Sequence, residues 1–251
     1  EGRQKTFVLK ESPFQMTDLF FHKQIPVPIE CLAKMSGSHP DPIALNFHDS
    51  LLRVSDIQLL QGPHWLNDQI ISFYFEYLEK VKYKGNSDML FVSPEVTHCI
   101  KIVPDCEMSI FLNPLDAPKK PFIFFALNDN ESHRPGGTHW SLLVFSRPER
   151  AFFHFDSSGS SNLYHGQQFI NKIKSVLGCP NATTRSIRCL QQSNSYDCGI
   201  HVLCMADNIS DHINRYELVD GVGPLNHDLI SRKRGDILKI IAQLGGKVSY
   251  G

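Results

Sequence analysis

Apolar and polar residues alternate along this chain in blocks whose periods name their own elements. Phe122 to Leu127 reads Phe-Ile-Phe-Phe-Ala-Leu with no polar break. An apolar run that short, bounded by turn residues, predicts a buried strand. Two more strands follow, Trp140–Phe145 and Ala151–Asp156, joined by the turn Ser146-Arg147-Pro148-Glu149-Arg150. Helical spacing appears first after Trp65-Leu66-Asn67-Asp68, where Ile70, Phe73, Tyr74, Tyr77 and Leu78 fall on one face and Asn67 or Asp68 can cap. Ser93-Pro94 predicts a second helix start, with serine as cap and proline in the first turn. Gln167–Leu177 is amphipathic, a strand is expected near Ser186–Leu190, and a last helix runs about Ile230–Leu244 before Gly245-Gly246. Strands and helices in this order predict an α+β domain, a mainly antiparallel central sheet flanked by helices.

Residues 1–40 break the pattern. Their apolar residues come in scraps divided by prolines, and Met35-Ser36-Gly37-Ser38-His39-Pro40-Asp41-Pro42 reads as a linker. The expectation is an N-terminal extension over 1–40, poorly ordered or lying on the surface, and a catalytic domain over 41–246.

Composition narrows the partners. The 251 residues are 41% hydrophobic and 20% charged, with a formal net charge of -1. No bulk charge points to nucleic acid or a membrane surface, and no apolar run nears the ~20 residues of a membrane span. Seven cysteines, an odd number without a CxxC pair, fit a reducing compartment better than a disulfide framework. The expected location is cytoplasm, nucleus or both. Arg232-Lys233-Arg234 reads as a solvated face.

The chemistry gathers around Gln192-Ser193-Asn194-Ser195-Tyr196-Asp197-Cys198-Gly199, just before the apolar run Ile200–Ala206. Cys198 thus falls at the first turn of a buried helix, whose positive end favours thiolate over thiol. A candidate base, His139, and a candidate orienting acid, Asp156, lie upstream. If the hairpin turn centres between Arg147 and Pro148, His139 and Asp156 face each other directly, with Cβ atoms about 4.5–5.5 Å apart. Asp156 would then hold imidazole Nδ1 and leave Nε2 for the nucleophile. A bulge would change that register, although loosened strand ends would still let the two groups meet. Gln192, six residues before Cys198, offers a side-chain amide to an oxyanion, and the Cys198 backbone N–H is the natural second donor. Each residue alone has a plainer reading: a small core cysteine, a satisfied core histidine, an aspartate capping a turn. A metal reading of Cys198, His201 and Cys204 fails on geometry, since six helical residues turn the first and last about 240° apart.

Four strings occur together and in order: Trp65-Leu66-Asn67-Asp68, Gly136-Gly137-Thr138-His139-Trp140, Phe152-Phe153-His154-Phe155-Asp156-Ser157, and Gln191-Gln192-x-Asn194-x-Tyr196-Asp197-Cys198-Gly199. In this the chain resembles the ubiquitin-like-protein-specific cysteine proteases, the Ulp or sentrin/SUMO-specific protease family, related to adenovirus protease. The similarity runs through roughly 41–244 and leans to the deneddylating branch. It implies a papain-like, adenain-like fold without metal or cofactor. It implies Cys198 as nucleophile, His139 as base and then acid, Asp156 as orienting carboxylate and Gln192 as oxyanion donor. Trp65 and Trp140 would form a narrow tunnel over a Gly-Gly tail, Asp68 would hold the tail backbone, and Asn128–Gly137 would be a mobile loop closing over it. The implied partner of this monomer is a ubiquitin-like modifier, the neddylation modifier or SUMO, with conjugates such as neddylated cullins. Two rival readings of the same residues are a modifier-binding module that cuts nothing and an acyltransferase.

Overall fold

The centre of the fold is built from strands buried on both faces. In the computed structural model, which describes residues 41–248, β1 (Ile43–Phe47) and β2 (Ser50–Arg53) form a hairpin. Five further strands make the central sheet: β3 (Met89–Val92), β4 (Phe122–Asn128), β5 (Trp140–Ser146), β6 (Ala151–Phe155) and β7 (Thr183–Ile187), in the order β3-β4-β5-β6-β7. Seven α-helices surround it among the described residues: α1 (Val54–Leu60), α2 (Asp68–Tyr77), α3 (Pro94–Ile102), α4 (Met108–Leu112), α5 (Leu163–Ile173), α6 (Cys198–Tyr216) and α7 (His227–Gln243). The expected extension over 1–40 lies outside the described residues.

The period-two rule assigns the two faces. Phe122, Phe124, Leu142, Val144, Phe153 and Phe155 pack in one core with residues of α2, α6 and α7. Ile123, Phe125, Leu143, Phe145 and Phe152 pack in the other with residues of α3, α4 and α5. Because both faces of β4, β5 and β6 are covered, their sequences read as apolar runs without alternation.

The α+β architecture is as expected, with one refinement. β4, β5 and β6 pair antiparallel, but both outer pairs, β3-β4 and β6-β7, are parallel. Parallel neighbours need a crossover, and α5 supplies the one from β6 to β7. That edge strand is Thr-Thr-Arg-Ser-Ile, largely exposed, so it carries no apolar signal and begins three residues before the expected Ser186. α5 likewise starts at Leu163 rather than Gln167. Gly166 lets its first turn approach His154, where an added Cβ would lie 3.2 Å from the imidazole. The β1–β2 hairpin and α1 are too short and too mixed in polarity to announce themselves.

Helix starts follow their caps. The Asn67 side chain accepts from the Ile70 N–H at 3.1 Å, and Ser93 from Val96 at 3.3 Å. No helix among the described residues is long and apolar enough to cross a membrane.

Candidate active site

Cys198 is the first residue of α6, and every residue from Cys198 to Ala206 is buried. The continuous apolar run after the cysteine therefore marks a helix enclosed on all sides rather than an amphipathic one. Gly199 is required there by its neighbour: a Cβ would sit 2.9 Å from Leu66 Cβ. The absent side chain lets the segment entering α2 lie directly against the start of α6.

His139 and Asp156 meet just outside the strand ends. β5 begins at Trp140 and β6 ends at Phe155. The observed register pairs Leu142 with Phe155 and Ser146 with Ala151, so the turn centres between Pro148 and Glu149, one residue later than expected. Extended by one residue, the ladder would set Asp156 opposite Ser141, not His139. The direct opposition is thus incorrect. The pair forms nonetheless, because both residues have left the ladder and their side chains converge beyond it, Nε2 to Oδ1 at 2.6 Å.

The ring nitrogen is also not the one expected. Asp156 takes Nε2, which leaves Nδ1 for the Cys198 thiol, a hydrogen-bonding partner of the ring. Burial alone would depress the His139 pKa, but the hydrogen bonds and charges of Asp156 and Cys198 outweigh it and raise it to about 9. Burial likewise pushes the Asp156 carboxyl upward. It is outweighed by His139 and by two backbone donors, Asn162 N–H at 2.8 Å and Ser158 N–H at 2.9 Å, which bring the pKa to about 2. A charged carboxylate beside a protonated imidazole at neutral pH is the result.

Asn162, absent from the sequence-based candidates, is fully buried beneath this pair. Its backbone N–H holds Asp156, while its side-chain amide donates to Leu127 O, His139 O and Ser141 Oγ at 3.1–3.3 Å. It lies in a Ser-Ser-Gly-Ser-Ser-Asn stretch that reads as an ordinary turn, so nothing in the pattern sets it apart.

Gln192 is tied into the same corner. Its backbone N–H donates to Ser157 O and its side-chain oxygen accepts from Ser157 Oγ, both at 2.8 Å. Its Nε2 donates to Asn194 O at 2.7 Å, using one of two amide protons. The second is left for another acceptor.

Cys198 and His139 line a cleft of about 620 Å³ together with Trp65, Asp68, Asn128, Trp140 and Gly136–Thr138. Trp65 is 48% exposed, so it is a wall of the cleft and not a core residue. Its indole N–H donates to Ser195 O at 2.6 Å, and that of Trp140 to Leu66 O at 3.0 Å. The 128–137 loop is internally bonded. Asn128 Oδ1 accepts from Asn130 N–H at 2.9 Å, and Lys101 on α3 donates to Asn128 O and Asn130 O at 2.7 and 2.6 Å. Asp129 accepts from the backbone N–H groups of Thr138 and His139. Gly137 adopts φ +99°, and a side chain there would collide with the Asn128 amide.

The basic run near the C-terminus does not form a solvated face. Arg232 is exposed, but Lys233 is buried against Tyr74 Oη and Asp207. The Arg234 side chain is only 16% exposed and faces Asp197.

Known proteins resemble this chain in sequence and in fold. Residues 64–217 match the model of the Ulp1 protease family, C-terminal catalytic domain. The chain is 41% identical over 211 residues to rat Sentrin-specific protease 8, covering 82% of this chain and 97% of that one. It is 31% identical to NEDD8-specific protease 1 of Arabidopsis thaliana, covering 84% and 97%. Among solved structures, the yeast Ulp1 protease domain in complex with Smt3 superposes with a TM-score of 0.65 at 20% identity, over 84% of this chain and 91% of that one.

Proposed function

The chain belongs to the Ulp1 family of cysteine proteases, and from that premise we propose that it hydrolyses the bond after the C-terminal Gly-Gly of a ubiquitin-like modifier, the neddylation modifier first. The observation that carries the reading is that Cys198 and His139 share one cleft walled by two tryptophans, with Asp156 bonded to His139 behind it. Relatives named for NEDD8 and for sentrin support the substrate class.

Cys198 is the nucleophile, His139 the base and then acid, and Asp156 the orienting carboxylate. The imidazolium of His139 carries at Nδ1 the proton taken from the Cys198 thiol, and Sγ attacks the glycine carbonyl as the thiolate. The oxyanion is met by the Cys198 backbone N–H and the free amide proton of Gln192. As the C–N bond breaks, the imidazolium gives its proton to the leaving amine. A thioester joins Sγ to the modifier. Water, deprotonated by the same imidazole, attacks the thioester, freeing the modifier carboxylate and restoring the thiol. Trp65 and Trp140 admit a tail without side chains, Asp68 holds its backbone, and the 128–137 loop, with Asn128 at its root, covers it.

Such a site serves two substrates, a precursor with a short extension and an isopeptide on a target lysine, as on a cullin. An odd cysteine count without a CxxC pair supports a reducing compartment, cytosol or nucleus. The catalytic domain spans 41–246, and residues 1–40 are an extension to it.

A cleavage panel tests this reading. Linear fusions and lysine-linked conjugates of the neddylation modifier, SUMO and ubiquitin are incubated with the protein. Fastest cleavage of the neddylation substrates supports the proposal. Preference for SUMO keeps the chemistry and moves the substrate.

A further inference from the structure

Arg234 on α7 sits at the junction of the two segments that build the cleft. Its Nε and Nη2 donate to Asp197 Oδ1 at 3.3 and 2.8 Å, Nη2 also to His64 O at 2.7 Å, and Nη1 to Leu59 O at 2.6 Å. The guanidinium carbon lies 5.8 Å from the Tyr196 ring centroid. One side chain therefore grips the residue before the nucleophile, the residue before the Trp65 wall, and the end of α1.

The partners of Asp197 continue the same connection. Its other oxygen accepts from Asn194 Nδ2 at 2.7 Å, and Asn194 Oδ1 accepts from the backbone N–H groups of Tyr196 and Asp197 at 3.0 and 2.9 Å. The turn from 194 to 197 is thus closed on itself and anchored to α7 through a single ion pair. On the opposite side, Trp65 reaches Ser195 O and Leu66 packs on Gly199. A carboxylate beside the start of α6 also opposes an anionic sulfur, and Arg234 neutralises it.

Resting on the proposed function, we propose that Arg234 is a positioning residue for catalysis, fixing the Cys198 turn and the Trp65 wall relative to each other. The role requires arginine. A planar fork reaches a carboxylate and two carbonyls in three directions at once, and a lysine ammonium offers one point of charge. Misplacement of reacting groups by about 1 Å costs on the order of 100-fold in rate, which sets the expected size of the effect.

The test uses the full chain with a fluorogenic C-terminal amide of the neddylation modifier as substrate. Active sites are counted by adduct formation with the same modifier carrying a C-terminal electrophile. Arg234→Lys keeps a cation in place and should melt within a few degrees of wild type. Per active site its kcat/KM is expected to fall about 100-fold. Arg234→Ala should fall further and recover at least about tenfold in dilute guanidinium, far below denaturing concentrations, while Arg234→Lys and wild type do not respond. Wild-type kcat/KM per active site in Arg234→Lys overturns the inference. So does an Arg234→Ala defect that follows only the unfolded fraction and ignores guanidinium. Wild-type protein inert toward every modifier would overturn the function itself, a different result from either.

Discussion

Asp156 Oδ1 lies 2.6 Å from Nε2 of His139, although the β5–β6 ladder, extended by one residue, would set Asp156 opposite Ser141. The contact exists because the ladder has ended. His139 precedes β5 and Asp156 follows β6, and two backbone N–H groups hold the freed carboxylate. The geometry of this pair belongs to the strand ends, where side chains are no longer bound to alternate faces.

Asp156→Asn keeps the shape and removes the charge. Turnover of a modifier amide should drop on the order of 10²–10⁴-fold. The alkaline limb of kcat/KM, set by loss of the His139 proton near 9, should move to lower pH because Asp156 is one of the groups holding that proton. A pH–rate profile of both proteins checks it; an unmoved limb would break the link.

Stability should carry the same signature. The His139 pKa is raised from 6.5 to about 9, so its contribution is complete below 6.5 and disappears as pH rises through 9. Asp156 is lowered from 3.8 to about 2, so its contribution is complete above 3.8 and disappears as pH falls through 2. The pair stabilises most between those inner values. The melting-temperature gap between wild type and His139→Gln should therefore be widest near pH 5 and shrink beyond pH 9, as thermal melts across that range would report.

Glycines in the site are there for space. Gly199→Ala places a methyl 2.9 Å from Leu66 Cβ and should cost about 1–3 kcal/mol while displacing Trp65 and slowing cleavage. Gly235, exposed in the middle of α7 with open space around it, is the control. Gly235→Ala should stabilise by roughly 0.5–1 kcal/mol and leave turnover unchanged. Denaturant titration with parallel kinetics separates the two outcomes.

Asn162→Ala removes a buried amide that donates to the carbonyls of Leu127 and His139, leaving the latter the Asp129 N–H at 3.3 Å. The expected loss is about 1–3 kcal/mol, with kcat falling as His139 loses its backbone support. Asn162→Asp should be worse, since it sets a carboxylate against carbonyl oxygens. Urea titrations of both variants test the order.

Much of this was legible in the chain, and the reasons for the rest are physical. β4, β5 and β6 announce themselves because burial on two faces leaves no polar interruption. α2 and α3 start at Asn67 and Ser93 because a cap is a local, one-residue signal. Residue type and short motif single out Cys198, His139 and Asp156, which the structure brings together. Their hydrogen-bonding atoms are not singled out, because ring orientation depends on what lies beyond the strand ends. β7 stayed hidden because an edge strand needs few apolar residues. Lys233 and Arg234 read as surface because a buried cation is defined by partners far along the chain, Asp207 and Asp197. Asn162 gave no signal at all, since a buried asparagine and a turn asparagine look alike in sequence.

The central claim is that Cys198 attacks the carbonyl at the end of a ubiquitin-like modifier. The most direct measurement is intact mass of the protein, and of Cys198→Ala, after exposure to the neddylation modifier, SUMO and ubiquitin, each carrying a C-terminal electrophile. The account predicts one covalent adduct with the neddylation modifier on wild type and none on Cys198→Ala. An adduct that survives in Cys198→Ala, or no adduct with any modifier, would contradict it.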